Sequence, residues 1–160
     1  MHYPLLNFKI PKFGAVGDFG YRRSFYHHSG IDLYCQKDEK IFAIEDGIIT
    51  NIEIFTGPNA NPKSPWWNET FSIMIEGASG AIGYCELLPL PHLKIGYKVK
   101  EGEIIAQIIP VLKKDKGNGT TMLHLEHYVS GTKDHVTWVL DTEKPKELLN
   151  PRYLLESINK

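Results

Sequence analysis

The sequence predicts a mainly β protein, an antiparallel β-sandwich or half-open barrel with one short C-terminal helix. Three observations carry that expectation. Fourteen glycines and ten prolines in 160 residues call for many turns and therefore short elements. β-Branched and aromatic runs recur between the turns, over residues 48–55, 70–76, 81–87 and 120–129. One good helix start occurs, Asn150-Pro151, an N-cap residue followed by proline at the first helical position.

In chain order, residues 1–25 read as loop, because Gly14, Gly17, Asp18 and Gly20 break any helix within seven residues. Residues 31–35 form a short strand that puts Asp32 on the face opposite Ile31 and Leu33. Residues 40–44 and 48–55 are further strands around the turn Glu45-Asp46-Gly47. Residues 56–68 hold three prolines and end in Trp66-Trp67, so they form a long exposed loop. The two tryptophans either wall a functional groove or cap one end of the core. Residues 70–76 and 81–87 pair as a hairpin across Gly77–Gly80, and a proline-broken loop carries His92. The stretch 96–108 holds two glycines six apart and then another β-rich run, followed by a polar turn over 113–119 and the strand 120–129. Residues 132–149 have no clear pattern. The length suits one domain over 1–160, with a core from about 17 to 131 and a C-terminal extension over 132–160.

A formal net charge of −1, with 42% hydrophobic and 23% charged residues, excludes general attraction to nucleic acid or anionic membrane. No run approaches the roughly 18 apolar residues of a membrane span. Residues 1–9 lack the charged start and apolar stretch of a signal peptide, so a cytoplasmic location is expected of the chain as written. Two cysteines, Cys35 and Cys85, are too few for a disulfide framework and read as reduced, buried thiols.

The chemistry centres on Tyr26-His27-His28-Ser29-Gly30-Ile31-Asp32-Leu33, where an imidazole and a carboxylate stand four residues apart. Zn²⁺ takes His nitrogen and Asp oxygen at about 2.0–2.2 Å, but two ligands do not hold it. The strand Met122-Leu123-His124-Leu125-Glu126-His127-Tyr128 supplies a third. Alternation places Met122, His124, Glu126 and Tyr128 on one face. Three protein ligands with a free fourth position make a catalytic rather than a structural zinc site. His27 should point away from it.

These elements resemble the M23, lysostaphin-type metallopeptidases, which cleave peptide cross-bridges of bacterial cell walls. The resemblance runs from about Gly17 to Gly131. It includes Gly20-Tyr21-Arg22, the His-x-Gly-x-Asp element at His28-Ser29-Gly30-Ile31-Asp32, the segment 41–49 and the segment 96–106. It implies a predominantly antiparallel β fold and a zinc ion held by His28, Asp32 and His124. It also implies that two non-ligand catalytic histidines are replaced. The first His of the family's His-x-His pair falls on Met122, and the His of its Tyr-x-His-Leu element falls on Glu86. A second register matches His124-Leu125-Glu126 to the pair instead, making Glu126 a ligand and His124 the base.

What the resemblance implies is a zinc-dependent endopeptidase-like protein acting on peptidoglycan peptides, able to reach the wall after release. Glu86 can serve as the base in place of histidine, because a carboxylate beside a metal-activated water does that work elsewhere. Methionine at 122 can neither take a proton nor support an oxyanion. Trp66, Trp67 and Arg22 are the candidate substrate contacts, with Arg22 or Arg23 suited either to a substrate carboxylate or to a structural place beside Asp18. Glu126 is expected to orient a ligand histidine. The alternative is a catalytically impaired module of the same fold that binds a cell-wall peptide or a protein partner.

Overall fold

The computed structural model describes residues 1–114 and 121–158. The elements run β1 (Tyr26–His27), β2 (Ile31–Tyr34), β3 (Lys40–Phe42), β4 (Gly47–Thr56), β5 (Thr70–Gly77), β6 (Gly80–Pro89), β7 (Lys98–Val99), β8 (Ile104–Ile108), β9 (Met122–Tyr128), β10 (Trp138–Val139), β11 (Leu148–Leu149) and α1 (Pro151–Ser157). The fold is mainly β with a single short C-terminal helix among the described residues, as the turn-rich sequence requires. Helix α1 starts where its cap puts it: Asn150 Oδ1 accepts from the Arg152 backbone N–H at 3.0 Å. Residues 115–120, which include part of the expected polar turn and the start of the last expected long strand, lie outside the described residues.

Among the described residues, nine strands form one antiparallel sheet with a spine β11-β9-β6-β5-β4-β7, and β1 pairs with β10 in a separate ribbon. The hairpin β5–β6 closes at Gly77↔Gly80. Gly80 has φ +116°, and a Cβ there would stand 2.3 Å from the Tyr128 carbonyl oxygen, so only glycine turns the chain this close to β9. The buried face of β2 (Ile31, Leu33) and of β9 (Leu123, Leu125) joins Ile41, Ile49, Ile73, Tyr84, Leu87 and Leu155 in the main core. Period-two alternation then forces Asp32 and His124 onto the other face.

Strand β6 changes partners halfway. Ala81 to Cys85 pair with β9, whereas Leu87 to Pro89 pair with β8. The register against β5 also shifts there, with Phe71 opposite Leu87 and Ser72 opposite Cys85. The residue left over is Glu86, at φ +68°. Among the described residues, the other non-glycine residues with positive φ are Asp38 and Asp141, a residue type that tolerates the left-handed region far better than glutamate. Backbone held in that region at a sheet break is the kind of strain that collects at functional sites.

The stretch 132–149, patternless in the sequence, contains β10 and β11. Each has two residues, too short to show a period, and each exists because a longer partner is present: β11 extends the sheet from Tyr128 and His127.

Candidate metal centre

Strands β2 and β9 are neighbours, and their register sets Asp32 directly opposite His124. His28 lies between β1 and β2, one turn away through Ser29 and Gly30. The three side chains converge. His28 Nε2 is 3.0 Å from His124 Nδ1 and 3.1 Å from Asp32 Oδ1, and His124 Nδ1 is 2.9 Å from Asp32 Oδ1. Ligand atoms about a tetrahedral zinc with bonds near 2.0–2.1 Å stand about 3.3 Å apart, so the triangle is close to one face of such a site.

The outer nitrogens decide what the inner ones carry. His28 Nδ1 lies 2.9 Å from the Asp18 carbonyl oxygen, which can only accept, so Nδ1 holds the proton and Nε2 presents a lone pair. His124 Nε2 lies 3.2 Å from the Glu126 carboxylate and donates to it, which leaves a lone pair on Nδ1 in the neutral ring. Three lone-pair-bearing atoms therefore face one another across about 3 Å, an arrangement that only a proton or a cation relieves. Without a cation the proton goes to His124: burial opposes it, but Asp32 and Glu126 together push the imidazolium up to about 10. Burial likewise opposes ionisation of Asp32, yet hydrogen bonds from His124 and His28 hold its carboxyl far below the ordinary range. For His28, burial dominates and lowers the pKa. The donor set thus fits a zinc ion held by His28, Asp32 and His124.

Two consequences are measurable. A metal ion held by this cluster would have to displace the proton on His124, so binding should release about one proton and tighten with rising pH, roughly tenfold per unit. Calorimetry in buffers of different ionisation enthalpy reads that proton; a release of zero contradicts the lone-pair assignment. In the metal-free protein the raised His124 contributes stability that is complete below its unfolded value of about 6.5. That contribution fades as pH climbs through about 10. Chemical denaturation across this window should show the loss in the metal-free chain.

The loop that supplies His28 is tied to the far end of the chain. Arg152, in α1, donates to Asp18 Oδ1 at 2.7 Å and to the Pro11 carbonyl at 2.8 Å, and its guanidinium sits 4.1 Å from the Phe13 ring centroid. Asp18 is thereby paired with Arg152 rather than with Arg22 or Arg23. Arg23 donates to Asp32 Oδ2 at 3.2 Å, leaving Oδ1 for the triangle. Arg22 instead pairs with exposed Asp141 at 3.0 Å. Gly30 allows β2 to lie against the site: a Cβ there would meet the Leu125 carbonyl at 2.5 Å and the His124 ring at 2.8 Å. Gly30→Ala should therefore destabilise the fold by about 1–3 kcal/mol and weaken zinc binding with it. Thermal denaturation with and without zinc reads both effects; parent-like values in both would show that the backbone has slack here.

Glu126, buried on the metal-facing side of β9, accepts from four groups. Oε1 takes the Ser29 hydroxyl at 2.8 Å and His124 Nε2, while Oε2 takes the Tyr128 hydroxyl at 2.8 Å and His135 Nδ1. Burial would raise its pKa, but the bonds from His124 and His135 hold it well below the carboxylate range. Phe55, from β4, stacks on His124 (centroids 5.9 Å apart, planes at 25°) and tilts against His135 at 5.1 Å.

Glu86 follows Cys85, the cross-strand partner of His124. Its Oε2 is buried without a hydrogen-bond partner, as is Arg23 Nε. Burial pushes the Glu86 carboxyl up to about 7, with His124 and Arg23 pulling down and Asp32 and Glu126 pushing further up. Met122 stands opposite Tyr34 at the start of β9. Trp66 is largely exposed and meets Trp67 edge-on at 6.1 Å, in the loop that leaves β4 just beyond Phe55. His27 packs on Trp138 at 4.6 Å and His92 on Tyr97 at 5.4 Å, both outside the triangle. Cys35 and Cys85 are free thiols, both with pKa values raised by burial. Phe55 and His135 were not singled out as site residues by sequence, and Arg23 was considered only as a partner of a substrate carboxylate or of Asp18, not of Asp32. Phe55 shares the parity of Asn51 and Glu53 but also of buried Ile49, and the register of β4 shifts between Ile49 and Asn51, so alternation gave no clear signal for it.

No protein-family model matches the sequence, and comparison with curated proteins finds no match. Among solved structures, the chain is similar to the catalytic domain of the antimicrobial peptidase lysostaphin from Staphylococcus simulans, at 18% identity and TM-score 0.57. That likeness covers 94% of this chain and 93% of that one. It is also similar to a catalytic-domain mutant of the prophage-encoded M23 protein EnpA from Enterococcus faecalis, at 19% identity and TM-score 0.54. Here 88% of this chain and 94% of that one are covered. A zinc-containing peptidase from Vibrio cholerae matches at 21% identity and TM-score 0.52, covering 78% of this chain and 35% of that one. The fold is therefore that of lysostaphin-type peptidase domains.

Proposed function

We propose that the chain is a zinc-dependent endopeptidase-like protein acting on peptides of the bacterial cell wall. The observation that carries this reading is the triangle of His28 Nε2, Asp32 Oδ1 and His124 Nδ1, three mutually facing lone pairs with edges of 2.9–3.1 Å. The fold shared with the catalytic domains of an antimicrobial peptidase and a prophage-encoded M23 protein supports the substrate class. Bound zinc supplies a Lewis acid and lowers the pKa of water toward about 7. Glu86 is the group to take the proton of the attacking water, since it follows the cross-strand partner of His124, interacts electrostatically with His124 and Asp32, and is pushed up to about 7 by burial. Glu126 and Arg23 hold His124 and Asp32 in place. Trp66 and Trp67 wall the peptide groove, and Arg22 meets a substrate carboxylate by exchanging Asp141 for it. As the sequence resemblance implies, Met122 and Glu86 stand where the family carries its two non-ligand catalytic histidines. The protein acts on the wall after release from the cell that makes it.

A second reading rests on Met122, which offers no proton and no hydrogen bond to an oxyanion: a module that binds a wall peptide or protein partner without cleaving it. Metal analysis of the purified protein, followed by turbidity loss of cell-wall suspensions with and without chelator, separates the two. Chelator-sensitive clearing supports hydrolysis. Bound zinc with no clearing of any wall preparation supports the binding module, and absence of zinc defeats the metal reading outright.

A further inference from the structure

Resting on the metal reading above, we infer that His135 is a positioning residue of the metal centre: it clamps Glu126, and through it fixes which nitrogen of His124 faces the cation. A ligand imidazole must be held in one tautomer and one ring orientation, and the hydrogen bond on its outer nitrogen does both. That bond goes to Glu126 Oε1 at 3.2 Å. Glu126 has nothing rigid behind it unless Oε2 is held too, and Oε2 is held by the Tyr128 hydroxyl and by His135 Nδ1. His135 is anchored in turn. Its Nε2 lies 2.9 Å from the Ser72 hydroxyl and 3.5 Å from Glu53, and its ring packs on Phe55, which also stacks on His124. One aromatic ring thus braces both imidazoles while one carboxylate bridges them.

The chain topology makes this a long-range device. His135 lies beyond β9, in the segment joining it to β10. Asn51, on the same face of β4 as Glu53 and Phe55, donates to the Lys133 carbonyl at 3.3 Å and holds that segment down. Cys85 also approaches Glu126 and His135, so these three could together take a second ion, and the test must tell the two arrangements apart. The carboxylate already accepts four donors without a cation, which favours the clamp.

The experiment measures zinc affinity by chelator competition, zinc stoichiometry, and the visible spectrum of the cobalt-substituted protein. It compares the parent with His135→Phe, His135→Asn and Ser72→Ala, each checked for strand content by circular dichroism. His135→Phe keeps the ring on Phe55 but loses both nitrogens; it should weaken zinc by about 10–100-fold and change the cobalt spectrum. His135→Asn restores a donor toward Glu126 and should return affinity close to the parent. Ser72→Ala, a small change that does not threaten folding, should weaken zinc by about 2–10-fold. Parent-like zinc affinity and cobalt spectrum in His135→Phe and Ser72→Ala overturn the inference. So does a second equivalent of zinc in the parent that disappears in His135→Phe, which assigns His135 to an ion of its own. A parent that binds no zinc at all brings down the metal reading first and this inference with it.

Discussion

Asp32→Ala should remove zinc from the protein, with affinity falling on the order of 10²–10³-fold. Apparent zinc-binding free energies near 10–16 kcal/mol shared among four ligands put about 3 kcal/mol on each. Every 1.4 kcal/mol is a factor of ten. Asp32 is the ligand to choose because it also holds the two imidazoles apart: Oδ1 lies 2.9 Å from His124 and 3.1 Å from His28. Its removal leaves Arg23 without its carboxylate and His124 with only Glu126 to retain a proton. The metal-free variant should therefore lose stability as well, by about 3–5 kcal/mol if the buried charges find no new partners. Chelator competition and denaturant unfolding measure the two losses separately. Zinc bound by Asp32→Ala with parent affinity would mean that the ion sits elsewhere, and the neighbouring group of Cys85, Glu126 and His135 would be the place to look.

Much of this centre was legible before any coordinates, and the reason is periodicity. In a strand, residues two apart share a face, so Met122, His124, Glu126 and Tyr128 were grouped by alternation alone, and in β9 Glu126 bonds both His124 and Tyr128. Asp32 was separated from Ile31 and Leu33 by the same rule, and the core takes both apolar neighbours. Where the backbone has no period, the sequence had nothing to offer. Arg22 and Arg23 are adjacent in an irregular loop; the sequence put Arg22 forward as a substrate contact and did not decide which of the two would stand beside Asp18. The structure sends Arg22 to Asp141 and Arg23 to Asp32. His135 follows a strand end in a segment whose course depends on Asn51 and Phe55, residues about 80 positions earlier. The partner of Asp18 is α1's Arg152, at a sequence separation of 134 that no local pattern reports. The left-handed backbone at Glu86 likewise arises from competition between β8 and β9 for one strand, which a linear reading of Tyr84-Cys85-Glu86-Leu87 does not contain.

That competition gives Glu86 its expected importance. Glu86→Gln should lower wall-peptide hydrolysis by about 10²–10⁴-fold while leaving zinc affinity at the parent value, because it removes a proton acceptor and no ligand. The substitution is clean in a way that alanine is not. Glutamine keeps the volume, and it meets the same backbone strain at φ +68°, so a change in folding is not expected to confuse the result. Burial holds the carboxyl near 7 without a cation, and a nearby zinc charge would lower it. Hydrolysis by the parent should therefore rise with pH along an acid limb at or below about 7, as Glu86 loses its proton and becomes able to accept one from water. In Glu86→Gln that limb should vanish along with most of the rate. If the variant instead clears walls as fast as the parent, with the limb intact, then water is deprotonated by another group. If the variant loses zinc, Glu86 belongs to the coordination shell, and the strained turn of β6 exists to deliver a fourth ligand.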